Sequence, residues 1–234
     1  MSTLQFPPLF EGLATAGADP FEVACSQARD GCDPGLVTYD LRPDKLRAAM
    51  VFAPEVPLSE AVIMLPICGV GFQNAFGALA PPEVGVHLEW NGTLRLNGGK
   101  CGALKMATSA QNADEEPDWL VVALELPLWP ETDETGLTPD VTTLYDEGCS
   151  EIEAPMLLEA WVRHTLVWIN RWLEDGPRAV HNEWKPLAYQ LNEGVTWNDH
   201  TGTFMGADEN FGMILKSGET TTIIPLTEVL TEAT

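Results

Sequence analysis

Residues 84–106 combine a lysine with closely spaced glycines. Their sequence, VGVHLEWNGTLRLNGGKCGALKM, predicts three short strands, with a Trp-Asn-Gly turn after the first and an Asn-Gly-Gly turn after the second. Lys100 opens the third strand, and Gly92, Gly99 and Gly102 lie near it in sequence. Glycine lets a backbone approach an anion closely, and a lysine would neutralise the anion's charge. Lys100 is therefore the first candidate for contact with an anionic small molecule, and the alternative is a solvated lysine beside a hairpin turn.

Two further groups of residues are candidates for a ligand site. Arg42, Lys45 and Arg47 form the densest cationic cluster in a chain with only 12 lysines and arginines, and they lie in a predicted basic link, residues 41–48. A solvated link is the default interpretation, and a contact with an anion is the functional one. Trp90 and Asn91 precede Gly92 in the first predicted turn. Trp90 is either the wall of a ligand pocket or an ordinary core tryptophan.

Composition excludes several classes of function. The formal net charge of -23 repels nucleic acid and anionic membranes. The four histidines and five cysteines show no metal-ligand spacing, so we expect no metal site and reduced, buried cysteines. The N-terminus lacks a signal peptide, and the most apolar run, residues 61–72, is too short to span a bilayer. We therefore expect a cytoplasmic protein, without a Gly-x-Ser-x-Gly elbow or a nucleotide-binding glycine motif.

The predicted elements that must position these residues alternate between strands and helices. Asp19 is a suitable N-cap for a first helix that ends at Gly31. Residues 130–148 form a long acidic connection, typical of a lid, a binding loop or a mobile surface segment. The remaining predictions are strands at 35–40, 48–53 and 119–128, a buried helix at 59–79, and helices at 155–174 and 177–189.

The sequence changes character near residue 190. Short strands separated by the turn signals NDHTG, DENFG and KSGE indicate a small β-barrel. We predict two domains, 1–189 and 190–234, and an α+β fold. The first domain would hold a mixed or antiparallel sheet flanked by helices, and the second a small barrel.

This layout resembles the biotin/lipoate protein ligase family, which has a class II synthetase-like fold and a C-terminal SH3-like barrel. The family has a Lys-Trp-Pro-Asn-Asp motif followed by a Lys-x-Gly-Gly-Ile motif. Residues 89–92, EWNG, stand at the first motif and residues 100–104, KCGAL, at the second, at the family's spacing. The strand WLVVALEL and the tail segment GTFMGADE, residues 202–209, are similar to a third and a fourth family motif.

The resemblance implies an ATP-dependent activity. In this family a carboxylate such as biotin or lipoate reacts with ATP, with Mg, to give an acyl-adenylate, and the acyl group then passes to a lysine of a biotinyl or lipoyl carrier domain. Lys100 stands where the family lysine contacts both carboxylate and phosphate. By the same resemblance, the residues expected to contact the ligand are Trp90, Asn91, Gly92, Gly99 and Gly102.

Two departures from the family leave more than one function open. The family's Gly-Arg-Gly-Arg-x-Gly-Arg loop, which orders over the adenylate, is replaced by DLRPDKLR, residues 40–47, without glycine. Glu89 stands where the family has a lysine, and a carboxylate there would repel an acyl-phosphate unless it faces away. The first interpretation is a degenerate member that binds a small carboxylate or acyl ligand through Lys100, Arg42 and Arg47. The second is an active ligase, and the third an acyl-transfer enzyme that takes a preformed donor without ATP.

Overall fold

The computed structural model describes residues 4–130 and 140–232. The predicted acidic connection therefore lies partly outside the described residues. The helices are α1 Pro20–Arg29, α2 Leu58–Ala61, α3 Met64–Gly77, α4 Ala154–Asp175 and α5 Pro177–Trp184. The strands are β1 Glu11–Ala14, β2 Leu36–Leu41, β3 Lys45–Phe52, β4 Val86–Leu88, β5 Thr93–Leu96, β6 Gly99–Thr108, β7 Leu120–Pro127, β8 Gly194–Trp197, β9 His200–Ala207, β10 Met213–Ser217 and β11 Thr220–Ile224.

Seven strands form one mixed sheet in the order β1-β2-β3-β7-β6-β5-β4. β1 pairs with β2 in parallel, and every other neighbouring pair is antiparallel. β7, the predicted strand at 119–128, is the middle strand and is apolar on both faces, as a covered central strand requires. The predicted α+β architecture is confirmed. β1 was not expected, because residues 1–17 lack the alternation of a strand.

Helices cover the two faces of this sheet unequally. The inner face packs on α3 and α4 and forms the main core. Among the described residues, the outer face packs mainly on α1, through the alanines Ala49, Ala107 and Ala123 and the α1 residues Phe21 and Ala24. Because α1 has ten residues, it leaves part of the outer face uncovered by the helices that the structure describes. Asp19 caps α1 as predicted, accepting from the backbone N–H of Phe21 at 2.9 Å.

The predicted buried helix at 59–79 is two helices, α2 and α3, that meet at residues 62–63. The segment Leu58–Gly77 is long and apolar enough to cross a membrane, but 78% of its most apolar window is buried in the core. Gly69 and Gly71 allow close packing, because an added Cβ would lie 3.1 Å from Leu88 and 2.7 Å from Thr165. Pro66 lies in the first turn of α3, where a proline is tolerated.

The C-terminal strands form a four-stranded antiparallel sheet in the order β11-β10-β9-β8. Its outer strands β8 and β11 do not pair with each other, so the described residues form an open sheet and not a closed barrel. Asp208 and Glu209 lie in the predicted turn, where the Asp208 carboxylate accepts from the backbone N–H of Asn210 and Gly212. The division into domains at residue 190 stays a prediction.

Candidate anion-binding site

A row of charged side chains crosses the uncovered part of the outer face. Asp40, Arg47, Glu125 and Ala103 are paired directly across β2, β3, β7 and β6. Directly paired residues project from the same face of a sheet, so these side chains lie side by side. Lys45 is two residues from Arg47 on β3 and projects from the same face. Strand pairing therefore assembles residues that are more than 80 positions apart in the sequence.

Ion pairs join the members of this row. Asp40 accepts from Arg42 Nε at 2.8 Å and from Arg47 Nη2 at 2.5 Å. Lys45 Nζ lies 3.1 Å from Glu125 Oε1. The hydrogen bonds from Arg47 and Arg42 hold the pKa of the Asp40 carboxyl below its usual value, and the Asp40 carboxylate raises the pKa of Arg47. Three cations thus face two carboxylates, which leaves one net positive charge.

Both arginines also point towards the backbone that precedes α1. Arg42 Nη2 and Arg47 Nη2 each donate to the carbonyl oxygen of Gly17 at 3.4 Å. The predicted ligand residues Arg42 and Arg47 are therefore brought together, but with protein acceptors already in place. An incoming anion would have to share these guanidinium groups with Asp40.

Lys105 adds a further cation beside the row. It is half-buried on β6 directly opposite Ala123, and its Nζ lies 5.2 Å from the centre of the Phe21 ring. A small cavity lies among Phe21, Arg47, Lys105 and Glu125, with Asp19 also in its lining. The structure thus places Lys105 in the wall of this cavity.

Lys100 lies on the same sheet, at the start of β6. It is exposed and directly opposite Arg95 on β5. Its backbone N–H donates to Asp140 O at 2.8 Å, and its carbonyl accepts from the Thr142 N–H at 2.9 Å. Within the described part of the chain, the Lys100 ammonium group has no hydrogen bond or ion pair. The register places it on the outer face, as the core residues Cys101 and Leu104 point inward.

The three predicted ligand glycines pack closely against other protein atoms. Gly92 and Gly102 have φ values of +94° and +88°, and an added Cβ would lie 2.6 Å from Leu104 O and 2.2 Å from Glu125 O, respectively. An added Cβ at Gly99 would lie 2.8 Å from Thr142. Gly102 forms a bulge in β6, where the register with β5 shifts. A side chain would therefore not fit at these three positions, and the contact of these glycines with a ligand stays a prediction.

Trp90 and Asn91 lie on the core side of the sheet and not beside Lys100. Trp90 is 6% exposed, and its Nε1 donates to Phe211 O of the C-terminal sheet at 2.6 Å. Asn91 Oδ1 accepts from the Thr93 N–H at 3.1 Å and closes the β4–β5 turn. Trp90 is thus buried where the two sheets meet, and its contact with a ligand stays a prediction.

The negative charge of Glu89 is neutralised by Arg95, which was not among the predicted site residues. Arg95 Nε donates to Glu89 Oε1 at 2.6 Å, and Arg95 Nη1 donates to Gly98 O at 2.6 Å. Arg95 is only 9% exposed, and its guanidinium lies 4.1 Å from the centre of the Tyr189 ring. The sequence held one signal that could have identified Arg95, which is its position between Leu94 and Leu96 in a predicted strand. Glu89 therefore presents no unpaired negative charge to a ligand.

The predicted basic link at 41–48 is a tight hairpin instead. β2 ends at Leu41 and β3 begins at Lys45, so only Arg42, Pro43 and Asp44 connect them. The Arg42 N–H donates to Lys45 O at 2.9 Å and closes the turn. Lys45 and Arg47 are consequently strand residues. In the sequence, Lys45 and Arg47 alternate with the apolar Leu46 and Ala48, as in a strand. The segment was interpreted as a basic link because of its lysine and arginines.

The other side chains that could do chemistry give no second centre of this kind. The described ranges contain no group of three His, Cys, Asp or Glu side chains that could hold a metal ion. All five cysteines are free, and four are buried. Burial raises the pKa of the Cys25 thiol to about 12 and also raises the pKa of Cys68 and Cys101. These thiols are poor nucleophiles at neutral pH.

Two family models match the chain. The Biotin/lipoate A/B protein ligase family matches residues 6–186, and a domain of unknown function (DUF4444) matches residues 191–232. A biotin--[acetyl-CoA-carboxylase] ligase of Paracoccus denitrificans is 23% identical over 189 residues, which is 77% of each chain.

Solved structures share the fold. A biotin protein ligase-like protein of unknown function from Silicibacter sp. TM1040 is 57% identical, with a TM-score of 0.94 over 98% of this chain and 100% of its own. Biotin protein ligase from Aquifex aeolicus, 14% identical, gives a TM-score of 0.74 over 92% of this chain and 96% of its own. The same Aquifex protein has been solved in complex with biotin and ATP, and that structure gives a TM-score of 0.69 at 13% identity. By the family match over residues 6–186, this chain belongs to the biotin/lipoate A/B protein ligase family.

Proposed function

We propose that this protein binds a small carboxylate or acyl-type ligand on the outer face of its sheet and is degenerate for standard biotin transfer. The observation that carries the proposal is the set of cations on that face. Six of the 12 lysines and arginines of the chain lie between residues 42 and 105, all on the seven-stranded sheet or its β2–β3 turn. The net charge of -23 repels anions, and this concentration of cations offsets that repulsion locally.

Lys105 supplies the charge for a carboxylate beside the Phe21 ring, and Lys100 adds a second ammonium group further along the same face of β6. Both lie on the outer face of β6, and neither has an ion pair within the described part of the chain. Lys105 faces the Phe21 ring, and Ala103, which is paired with Glu125, adds a small apolar side chain to the same face. The site thus combines ammonium groups for an acid with an apolar surface for an acyl chain.

The β2–β3 hairpin supports the loss of adenylation. By the resemblance, family members have a glycine- and arginine-rich loop at this position. That loop becomes ordered over the adenylate. Here the connection has three residues, and both Arg42 and Arg47 are held by Asp40. A closed three-residue turn without glycine cannot wrap a phosphate.

The carboxylates of the described site do not fit the Mg that the family resemblance implies. Asp40 is paired with two arginines and Glu125 with Lys45, so neither carboxylate is available to a divalent cation. No step of the proposal therefore passes through Mg. This also weighs against ATP as a substrate, because the metal normally offsets the charge of the phosphates.

An active ATP-dependent ligase is the second candidate function. The exposed Lys100, at the family's lysine position and without an ion pair in the described ranges, favours it. Such an enzyme would attach biotin, lipoate or another acyl group to a lysine of a carrier protein. An assay of pyrophosphate release with ATP and each acid separates the two. The binding proposal predicts no pyrophosphate release with acids that bind, whereas pyrophosphate release with any acid would establish the ligase.

Calorimetry with biotin, lipoate, octanoate and their adenylates tests the binding proposal. We expect at least one to bind, and Lys100→Ala to weaken it about tenfold through loss of a charge-assisted hydrogen bond. Lys216→Ala, which removes an exposed lysine of the C-terminal sheet, is the matched control and should leave binding unchanged. No binding across the panel, or equal losses in both variants, would contradict the proposal.

A further inference from the structure

The chain returns to the seven-stranded sheet after the C-terminal sheet ends. Beyond β11, Pro225 leads into a short 3₁₀ helix, Leu226–Val229. Leu230 then forms a parallel bridge with Met106 of β6, and the Thr231 N–H donates to Met106 O at 2.8 Å. We name residues 226–231 the clasp. Its backbone pairing joins the end of the chain to the sheet that carries the candidate site.

The clasp is anchored in the main core. Leu226 is 2% exposed and belongs to the same core cluster as the inner face of the seven-stranded sheet. Val229 and Leu230 are half-buried against that cluster, and the 3₁₀ helix also contacts α2. Thr231 is exposed, so its backbone N–H and not its side chain makes the contact with β6. Burial of the apolar side chains therefore holds the clasp where that N–H meets β6.

The clasp covers an edge of β6 that β5 leaves open. β5 has four residues and β6 has ten. Their last pair is Thr93 with Ala103, after which the Leu104 N–H donates to Gly92 O at 2.8 Å. Further along this edge, the clasp is the only backbone partner of β6 in the part of the chain that the structure describes. Strand ends with few backbone partners open most readily, so the clasp stabilises this end of β6.

Lys105 lies between the two β6 residues that are anchored on this edge, Leu104 and Met106. Its side chain projects to the outer face, where Nζ lies 5.2 Å from the centre of the Phe21 ring. Because neighbouring residues of a strand share one backbone, a shift of Met106 would displace the Lys105 ammonium group. A cation–π contact extends only to about 6 Å, so a small displacement would break it.

We propose that the clasp is a positioning element for Lys105. Through the Thr231 N–H it holds Met106 in place, and it thereby keeps the Lys105 ammonium over Phe21 in the wall of the proposed ligand site. Supporting contacts of this kind change the affinity of a site without touching the ligand. The effect on affinity rests on the proposed function, whereas the effect on the position of Lys105 does not.

Thr231→Pro removes the hydrogen bond of the clasp, because proline has no backbone N–H. Leu230 has a φ of −60° and a ψ of 134°, in the backbone region that a residue before proline favours, so the substitution fits the observed chain. Thr231→Ala is the conservative variant. It removes the same exposed side chain but keeps the N–H.

The side-chain NMR signals of Lys105 report its position. Because Nζ lies over the Phe21 ring, the ring current should place the ε-methylene signals of Lys105 upfield of those of the exposed Lys100. Lys105→Arg assigns these signals by their loss. We expect them to move towards the Lys100 values in Thr231→Pro and to keep the wild-type values in Thr231→Ala. Identical Lys105 signals in the two Thr231 variants would overturn the proposal.

Two further measurements separate repositioning from a general loss of structure. Trp161 donates its indole N–H to Cys68 O at 3.0 Å in the main core, and a Trp161 signal that moves together with those of Lys105 would overturn the proposal. Leu230→Ala truncates a half-buried side chain of the clasp and should move the Lys105 signals in the same direction. Leu9→Ala, at a position that is 87% exposed, should leave them unchanged. If Thr231→Pro does not fold, this second pair decides, and equal Lys105 signals in it would overturn the proposal.

Calorimetry with octanoate tests the effect on affinity. We expect Thr231→Pro to bind octanoate about fivefold more weakly than the wild type, and Thr231→Ala to bind it equally. Equal affinities of the two variants would overturn the link between the clasp and ligand binding. If the wild type binds no acid of the panel, the proposed function fails, and the Lys105 signals alone decide whether the clasp positions Lys105.

Discussion

Asp40 organises the cationic site at the scale of single residues. It accepts from both Arg42 and Arg47 and so fixes two of the six cations of the sheet. Its depressed pKa means that the folded protein favours the ionised carboxylate more than the unfolded chain does. The stabilisation is therefore complete above the unfolded pKa of about 4 and is lost as the pH falls through the lower folded value.

Asp40→Asn should reduce stability by about 1 kcal/mol at neutral pH, since it removes charge-assisted hydrogen bonds that are partly exposed to water. The difference from the wild type should shrink towards zero as the pH falls from about 5 to about 2. Urea unfolding at several pH values measures both free energies. A difference that stays constant over this range would show that the ion pairs do not act through ionisation of Asp40.

Residue-level chemistry was predictable in part. The sequence picked out Lys100, Arg42 and Arg47, and the structure places all three on the sheet or its hairpin. It could not show that Asp40 already occupies both arginines, because that depends on strand register. Nor could it identify Arg95, whose partner Glu89 lies six positions away across a turn. Their roles in ligand binding stay predictions.

The β6 bulge is the element that shapes the site. Gly102 occupies the bulge with a φ of +88°, and the β6 residues on either side of it, Lys100 and Ala103, pair with Arg95 and Thr93 of β5. The extra residue keeps Lys100 and Lys105 on the same outer face although an odd number of positions separates them. A regular strand would turn one of these two lysines into the core.

Gly102→Ala should therefore destabilise the protein by about 3 kcal/mol, because it adds a steric overlap with Glu125 O to the cost of a positive φ. Gly98→Ala is the matched control. Gly98 has a φ of +92°, but an added Cβ would meet nothing within 4 Å. The control should lose only about 1 kcal/mol in the free energy of unfolding, measured with urea. Equal losses in the two variants would rule out close packing at the bulge.

Local patterns predicted most elements because their signals lie within a few residues. The three strands of residues 84–106, the Asp19 cap and the long helix α4 are confirmed. Backbone packing requires glycine at Gly92 and Gly102, which sequence alone does not show, and their contact with a ligand stays a prediction. β1 was missed because it depends on parallel pairing with β2, a tertiary contact.

At the scale of the whole molecule, half of the 12 lysines and arginines lie on the seven-stranded sheet or its β2–β3 turn. The order and spacing of elements predicted the family, which the family match over residues 6–186 shows. Sequence could not predict the seam, where Trp90 donates to Phe211 O across the two sheets. The 11 described strands form two sheets, a seven-stranded sheet that carries these cations and a four-stranded sheet that packs against its β4–β5 turn.

Our central claim is that the outer-face cations recognise a carboxylate. The most direct measurement compares, by calorimetry, the affinity of octanoate with that of octanamide, its uncharged counterpart. We predict that octanoate binds at least tenfold more tightly, and that Lys100→Ala and high salt both reduce this difference. Equal affinity of the acid and the amide, or a difference that survives in Lys100→Ala, would contradict the account.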